Sequence, residues 1–288
     1  MSHLQHRHRI LILGCGYVGS ALAKRLVRNG HDVVATTTTP SRAPRITELG
    51  AAPAVLLLHE TERLHDALVD REFVYLCVSA GRTGQSYGEL YAEGTRRFVA
   101  ACRDTPVRRI AYTSSTRVYA QDDGSWVDED SPTEPPDEDG RALVQAERTL
   151  LDAPSNGFLP PESTVSILRL GGIHGPGREF SSRIHRAAGN KRTDGDAFVN
   201  LIHLNDIVEV MVRIPETRYH GVINVCDGRP MLRRELYDRE IARAGLSPIR
   251  WGRRDRGGSG AHGGPPRGKR VSNERLRHLL GLTPQPVD

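Results

Sequence analysis

An apolar run at residues 10–13 leads directly into Gly14-Cys15-Gly16-Tyr17-Val18-Gly19, and from Val18 the apolar positions Leu22 and Leu26 recur at helical spacing until Gly30. A short continuous apolar run is what a parallel strand buried on both faces looks like. Gly30 stands where a helix C-terminus favours glycine. Between the two elements each glycine has its own task. Gly14 permits a tight turn, Gly16 lets a diphosphate approach the backbone, and Gly19 lets the helix lie close to the strand. The helix start adds unpaired N–H groups and the positive end of its dipole. A glycine loop alone is a weak signal, but strand, loop, helix and a second strand in register make it a dinucleotide-binding one. Gly14, Cys15, Gly16, Tyr17, Val18 and Gly19 are therefore expected at a cofactor.

The remaining pattern fits that opening. Further strand-like runs lie at residues 33–36, 55–58, 73–78, 110–113 and 165–170, with helical patterns at 45–49, 64–68, 87–102 and 141–151 between them. Such alternation predicts an α/β fold with a Rossmann-type, doubly wound parallel sheet. After residue 171 the pattern loosens, with a helix at 206–214, a strand at 222–225 and helices near 232–244 and 273–280. The expected division is a dinucleotide-binding domain over residues 1–171, to which 205–226 return, and a smaller, partly interwoven C-terminal substrate region formed by 172–204 and 227–288. Residues 122–139 carry many acidic side chains and no basic one. So self-repelling a block is expected as a surface loop.

The chain's 288 residues, 38% of them hydrophobic, suffice for one large domain or a domain with a smaller partner. No apolar run approaches the roughly 20 residues of a spanning helix, so no membrane role is expected. Residues 1–9 are polar and His-rich with no signal-like apolar stretch, which points to a cytoplasmic protein. Cys15, Cys77, Cys102 and Cys226 form no CxxC pair, so neither a disulfide framework nor a metal site is expected. The formal net charge of +5 is carried by residues 252–270, whose arginines and Lys269 face the single Asp255. This Gly/Pro-rich segment reads as a flexible basic loop, with a lid over an anionic ligand or a polyanion contact as alternatives. It lacks interleaved aromatic residues, so nucleic acid is not favoured as a partner.

The end of the second strand bears on the choice of nicotinamide cofactor, because an acidic residue there would accept from a ribose 2′-OH and repel a 2′-phosphate. Here the position is Thr36, followed by Thr37 and then by Arg42 and Arg45, while Asp32 lies at the wrong end of the strand. Hydroxyls and a guanidinium suit a phosphate. NADP is expected in preference to NAD.

Taken together, residues 14–19, 76–81, 112–119, 168–178 and 200–207 resemble the short-chain dehydrogenase/reductase superfamily in its extended, epimerase/dehydratase-like branch. Residues 140–143 and 269–273 are similar to an atypical, YeeZ-like subgroup of it. The resemblance implies an NAD(P)-dependent oxidoreductase, epimerase or dehydratase acting on a hydroxyl or carbonyl group of a small polar or sugar-like substrate. It adds Val78, Ser79, Ala80 and Ser114 to the implied cofactor contacts. It also implies a homodimer formed through the helices near 87–102 and 141–151.

The superfamily's proton transfer rests on a Tyr-x-x-x-Lys pair one helical turn apart, and here the sequence departs from it. Aligned through Glu147, the tyrosine position holds Asp139 and the lysine position Leu143. No tyrosine of the chain is followed four residues later by lysine, and Lys24, Lys191 and Lys269 all lie far along the chain from this helix. By resemblance, Ser115 matches the residue that hydrogen-bonds the reacting oxygen; it also reads as an ordinary strand-end hydroxyl. Tyr119, Asp139, His174, His203 or an ordered water remain as candidate proton donors. A non-catalytic NADP(H)-binding regulator or scaffold is the alternative to an enzyme.

Overall fold

The computed structural model describes residues 7–80, 84–252 and 266–287. Seven parallel strands form the principal sheet. They are β1 (Arg9–Leu13), β2 (Asp32–Thr37), β3 (Ala52–Val55), β4 (Phe73–Leu76), β5 (Arg109–Ser115), β6 (Thr164–Leu170) and β7 (Gly221–Val225). Their spatial order is 3-2-1-4-5-6-7. The helices are α1 (Tyr17–Arg28), α2 (Ala43–Glu48), α3 (Thr61–Leu68), α4 (Gly94–Ala101), α5 (Glu138–Leu151), α6 (Ser181–Ala187), α7 (Leu204–Thr217), α8 (Arg233–Arg243) and α9 (Glu274–Leu280). A π-helical stretch, Gly88–Glu93, leads into α4.

Side chains alternate across a strand, so the apolar run of β1 feeds two cores at once. Ile10 and Ile12 join Leu22, Leu26, Ile207 and Met211 under α1 and α7. Leu11 and Leu13 join Leu64, Phe98, Leu143 and Leu150 under α3, α4 and α5. From β1 the chain winds outward through β2 and β3, then returns to place β4 on the other side of β1. That reversal opens a crevice above the C-terminal ends of β1 and β4, where such sheets bind ligands.

A smaller core of Phe180, Ile184, Leu201, Leu236, Ile241 and Ile249 gathers α6, α8 and short strand pairs. Among these pairs, Gly172–His174 runs parallel to Leu201–His203, and Phe198–Val199 runs antiparallel to Met231–Leu232. The chain enters this lobe after β6, returns to the sheet through α7 and β7, and leaves again for α8.

Two expectations need correction, and a third lies largely outside the described residues. The strand expected at 55–58 lies earlier, at Ala52–Val55, because its partner β2 ends at Thr37 and Thr37 pairs with Val55. Leu56, Leu57 and Leu58 thus pass beyond the sheet. The acidic block is not merely a solvated loop. Trp126–Val127 within it pairs with Arg270–Val271, Asp122 meets Arg267, and Asp130 meets Arg275 at 2.7 Å. Its Glu129, with a side chain 3% exposed, accepts from the Asn224 amide at 2.7 Å. The basic segment expected to be flexible falls outside the described residues over 253–265. Its end, however, is tied down, with the Arg267 amide donating to the Asp196 carbonyl at 2.9 Å and the Gly268 amide to Asp122 Oδ1 at 2.8 Å.

Candidate functional site

The glycine loop follows β1 and is clasped by the end of β2. The Gly14 amide donates to Thr36 Oγ1 at 2.9 Å and the Cys15 amide to the Thr36 carbonyl at 2.8 Å. Gly14 has φ +95°, and a Cβ there would lie 2.9 Å from the Cys77 carbonyl. At Gly19 a Cβ would lie 2.2 Å from the Gly14 oxygen. Both positions thus exclude any side chain, whereas a Cβ on Gly16 would meet nothing within 4 Å. The loop's outer face is open for close approach. Gly16 places no side-chain cap on α1, whose first turn holds no acidic residue. The first amides and the dipole of α1 are therefore available to an anion.

Thr36, 4% exposed, clasps this loop through the bond from the Gly14 amide to its hydroxyl. Thr37 is also occupied locally, its Oγ1 accepting from the Thr39 amide at 3.1 Å. Thr38 is the exposed hydroxyl at the mouth of a cleft of about 230 Å³ whose other walls include Leu56, Leu57, Leu58 and Val78. Apolar leucines beside threonine hydroxyls suit a nucleoside. Arg42 sits near enough to the loop that its cation opposes the burial that raises the Cys15 thiol pKa.

The far side of the loop carries unfilled polar groups. Tyr17 Oη and His174 Nε2 are buried without a hydrogen-bond partner. Around Gly175, a Cβ would come within 3.1 Å of His203 Nε2 and 3.2 Å of Tyr17 Oη. Arg178 lies 4.6 Å from the Tyr17 ring centroid. His203 Nδ1 accepts from the Asn205 amide at 3.2 Å, which assigns the proton of the neutral ring to Nε2. Burial and the neighbouring His203 push His174 down to about 4. His174 is thus neutral at neutral pH, a hydrogen-bonding ring and not an acid. Orphaned buried groups beside an open glycine loop, with the Arg178 guanidinium over Tyr17, are what a bound dinucleotide would satisfy, so the residues present fit that group.

At the end of β5 two adjacent serines part company. Ser115 Oγ accepts from the Arg117 amide at 3.1 Å, which leaves its own proton to donate. Ser114 turns its side chain inward and donates to Glu147 Oε1, so its hydroxyl is spent in the core. Behind it Glu147 and Arg169 form a buried ion pair at 2.7 Å, and Arg169 Nη1 donates to Tyr119 Oη at 2.9 Å. Tyr119 donates in turn to Asn224 Oδ1 at 2.8 Å. Only 2% exposed, and with burial pushing its hydroxyl up to about 12, Tyr119 belongs to the core and not to the crevice. Its expected role as proton donor is withdrawn.

Asp139 lies in the first turn of α5, paired with Arg117 at 3.2 Å. Asp137 caps that helix by accepting from the Gly140 amide at 2.7 Å and meets the same Arg117 at 3.1 Å. Leu143 is 3% exposed, so the usual lysine position faces the core. After β4, Ser79 is exposed and the Ala80 amide donates to Tyr91 Oη at 3.3 Å.

Sequence reasoning missed Arg117, Arg178 and above all Lys269. The Lys269 ammonium donates to the Tyr119 carbonyl at 2.7 Å, within one turn of Ser115. Arg178 was visible as the end of the 168–178 motif, and Lys269 as the start of 269–273. Neither spacing revealed what it would face. Among the described residues no cluster suited to a metal ion occurs, and no helix is long and apolar enough to cross a membrane.

A sequence model of the NAD dependent epimerase/dehydratase family matches residues 10–226. Protein YeeZ of Escherichia coli (strain K12) is 29% identical over 286 residues, covering 97% of either chain. The 3-diazoavenalumate denitrifying reductase of a Streptomyces species is 27% identical over 241 residues, 77% of either chain. Among solved structures, MoeE5 in complex with UDP-glucuronic acid and NAD has a TM-score of 0.79 at 24% identity, covering 97% of this chain and 94% of that one. At that identity the likeness concerns the fold.

Proposed function

The chain belongs to the NAD dependent epimerase/dehydratase family, and from that premise we propose that it is an NAD(P)-dependent oxidoreductase, epimerase or dehydratase acting on a hydroxyl or carbonyl group of a small polar or sugar-like molecule. The observation that carries this reading is the open Gly16 face beside the orphaned Tyr17 and His174 groups; Ser115, at the end of β5, keeps a hydroxyl proton to donate. The nicotinamide, when bound, gives or takes hydride. Ser115 orients the reacting oxygen by donating to it, and the first amides of α1 with Arg178 hold the diphosphate. The sugar-like substrate class is supported by the likeness of residues 112–119, 168–178 and 200–207 to the extended, epimerase/dehydratase-like branch and by the match of 10–226 to that family.

NADP is preferred in this reading. No carboxylate stands at the end of β2, and Thr38 and Arg42 flank the cleft mouth and loop. Parallel calorimetric titrations with NADPH and NADH test it. A charge-assisted arginine contact contributes about 1.5–3 kcal/mol, so NADPH is expected to bind about 10–100-fold more tightly. Equal affinities would remove the preference; binding of neither would remove the enzyme reading. A second reading, a non-catalytic NADP(H)-binding regulator or scaffold, is favoured by Asp139 and Leu143 at the usual tyrosine and lysine positions. Tight dinucleotide binding with no hydride exchange across a carbonyl panel would support it.

A further inference from the structure

The absence of a lysine from α5 is a statement about the chain, and the fold answers it from elsewhere. We propose that Lys269, delivered by the strand Arg270–Val271 to the turn that follows Ser115, is the catalytic cation of this site and exchanges a proton with the substrate oxygen that Ser115 holds. The proposal rests on the oxidoreductase reading above.

The geometry begins at Ser115, which caps the turn Thr116–Val118. That turn closes with the Tyr119 amide on the Thr116 carbonyl, and the carbonyl of Tyr119 itself takes the Lys269 Nζ proton at 2.7 Å. An ammonium has three donors. Among the described residues this carbonyl is the hydrogen-bond partner of Nζ, which leaves donors for a ligand. The backbone around it is fixed on both sides. Asn200 Nδ2 donates to the Lys269 carbonyl at 2.9 Å, and the Val271 amide donates to Asn200 Oδ1 at 2.8 Å. The Gly268 amide bonds Asp122 Oδ1 and the Arg270 amide the Ser125 carbonyl, each at 2.8 Å. A reactive group on so tied a strand is held in place by its surroundings.

The other candidates are excluded by what already holds them. Tyr119 Oη is sealed in the core, Asp139 is committed to Arg117, burial keeps His174 neutral, and His203 spends Nδ1 on the Asn205 amide. The charges near Lys269 come from Arg117 on the turn, from Asp137 and Asp139 at the start of α5, and from Asp122, which Arg267 engages. Burial first, and Arg117 next, lower the Lys269 ammonium, with Asp137 opposing them. That direction brings a lysine toward the range in which it serves as an acid and base.

In the reducing direction, hydride bonds to the carbonyl carbon and the C–O π pair moves to oxygen. An N–H bond of the Lys269 ammonium breaks as the new O–H bond forms, and the amine regains its proton from water. In the oxidising direction the neutral amine takes the hydroxyl proton while hydride leaves for the nicotinamide.

Because Lys24, Lys191 and Lys269 are the chain's only lysines, reductive ¹³C-methylation gives a spectrum in which each can be followed by NMR. The Lys269 signal is identified by its loss in Lys269→Met, or by elimination with Lys24→Arg and Lys191→Arg if that variant does not fold. We expect Lys269 to hold its proton more weakly than the two exposed lysines do. Its signal is expected to move on saturation with NADP⁺ and to stay in place with 2′,5′-ADP, which lacks the nicotinamide half. Titration together with the references, an equal response to 2′,5′-ADP, or silence while calorimetry shows NADP⁺ bound would each overturn the proposal. Silence with no calorimetric binding of NADP⁺ or NAD⁺ is distinguishable, because it overturns the oxidoreductase reading and the proposal falls with it.

Discussion

Glu147 was useful in the sequence as an alignment mark, and in the structure it is the anion of a buried lattice that joins Ser114, Arg169 and Tyr119. Such a pair is a weak source of net stability, but removing one partner strands the other charge. Glu147→Ala is therefore expected to cost about 3–5 kcal/mol in urea unfolding, against about 1 kcal/mol for Ser114→Ala, which removes a single hydrogen bond. A buried carboxyl elsewhere gives a pH signature. Asp227 is 6% exposed with Oδ2 unpartnered, and burial pushes it up to about 6, with the Arg229 amide opposing. A carboxyl raised above its unfolded value of about 3.9 favours the folded state fully below that pH, and the contribution is lost as pH rises through the folded value. Asp227→Asn, which keeps the Oδ1 acceptor for the Arg229 amide, should match the wild type near pH 4 and exceed it by up to about 3 kcal/mol at pH 8. An equal difference between the two proteins at both pH values would refute that assignment.

At the scale of elements, what could be read from the sequence was what is written locally. The glycine loop, β1 and α1 announce themselves within twenty residues, because turn, strand and helix signals there are contiguous. The side chains of Ser114 and Ser115 part company for a reason the strand period contains, since adjacent residues point to opposite faces. Lys269 and the acidic block were illegible for a different reason. Asp122 and Gly268 are 146 positions apart, and no periodicity records such a pairing. Only folding brings the block to Arg267 and Arg275, and it also places Asp137 as cap of α5 and partner of Arg117. Asp137→Ala should cost about 0.5–2 kcal/mol through the lost cap. Asp137→Asn retains a capping oxygen but not the charge, so it should restore most of that stability in thermal unfolding. If both variants lose equally, the charge and not the cap is what α5 needs.

At the scale of the whole molecule, the proposed cofactor cradle draws on two bodies of different construction. The cleft beside Thr38 and Leu56 belongs to the sheet, whereas Gly175 and Arg178 lead into the lobe built on Phe180 and Leu236. A dinucleotide long enough to bridge the crevice must therefore couple them, while its adenosine half touches the sheet alone. Hydrogen exchange separates the two cases. With NADP⁺, slowed exchange is expected at residues 14–20, 36–42, 56–58 and 172–178 together, and with 2′,5′-ADP, which keeps one phosphate of the diphosphate, at the first three segments but not at 172–178. At a hundredfold excess over Kd the linkage is about 2.7 kcal/mol, and at about 2–4 °C per kcal/mol for a chain of this size Tm should rise by roughly 5–10 °C. The half-ligand should give a smaller rise that leaves 172–178 unchanged. Equal protection of 172–178 by both ligands would mean that the lobe answers to the adenosine end, and that the orphaned Tyr17 and His174 groups await something other than the nicotinamide half.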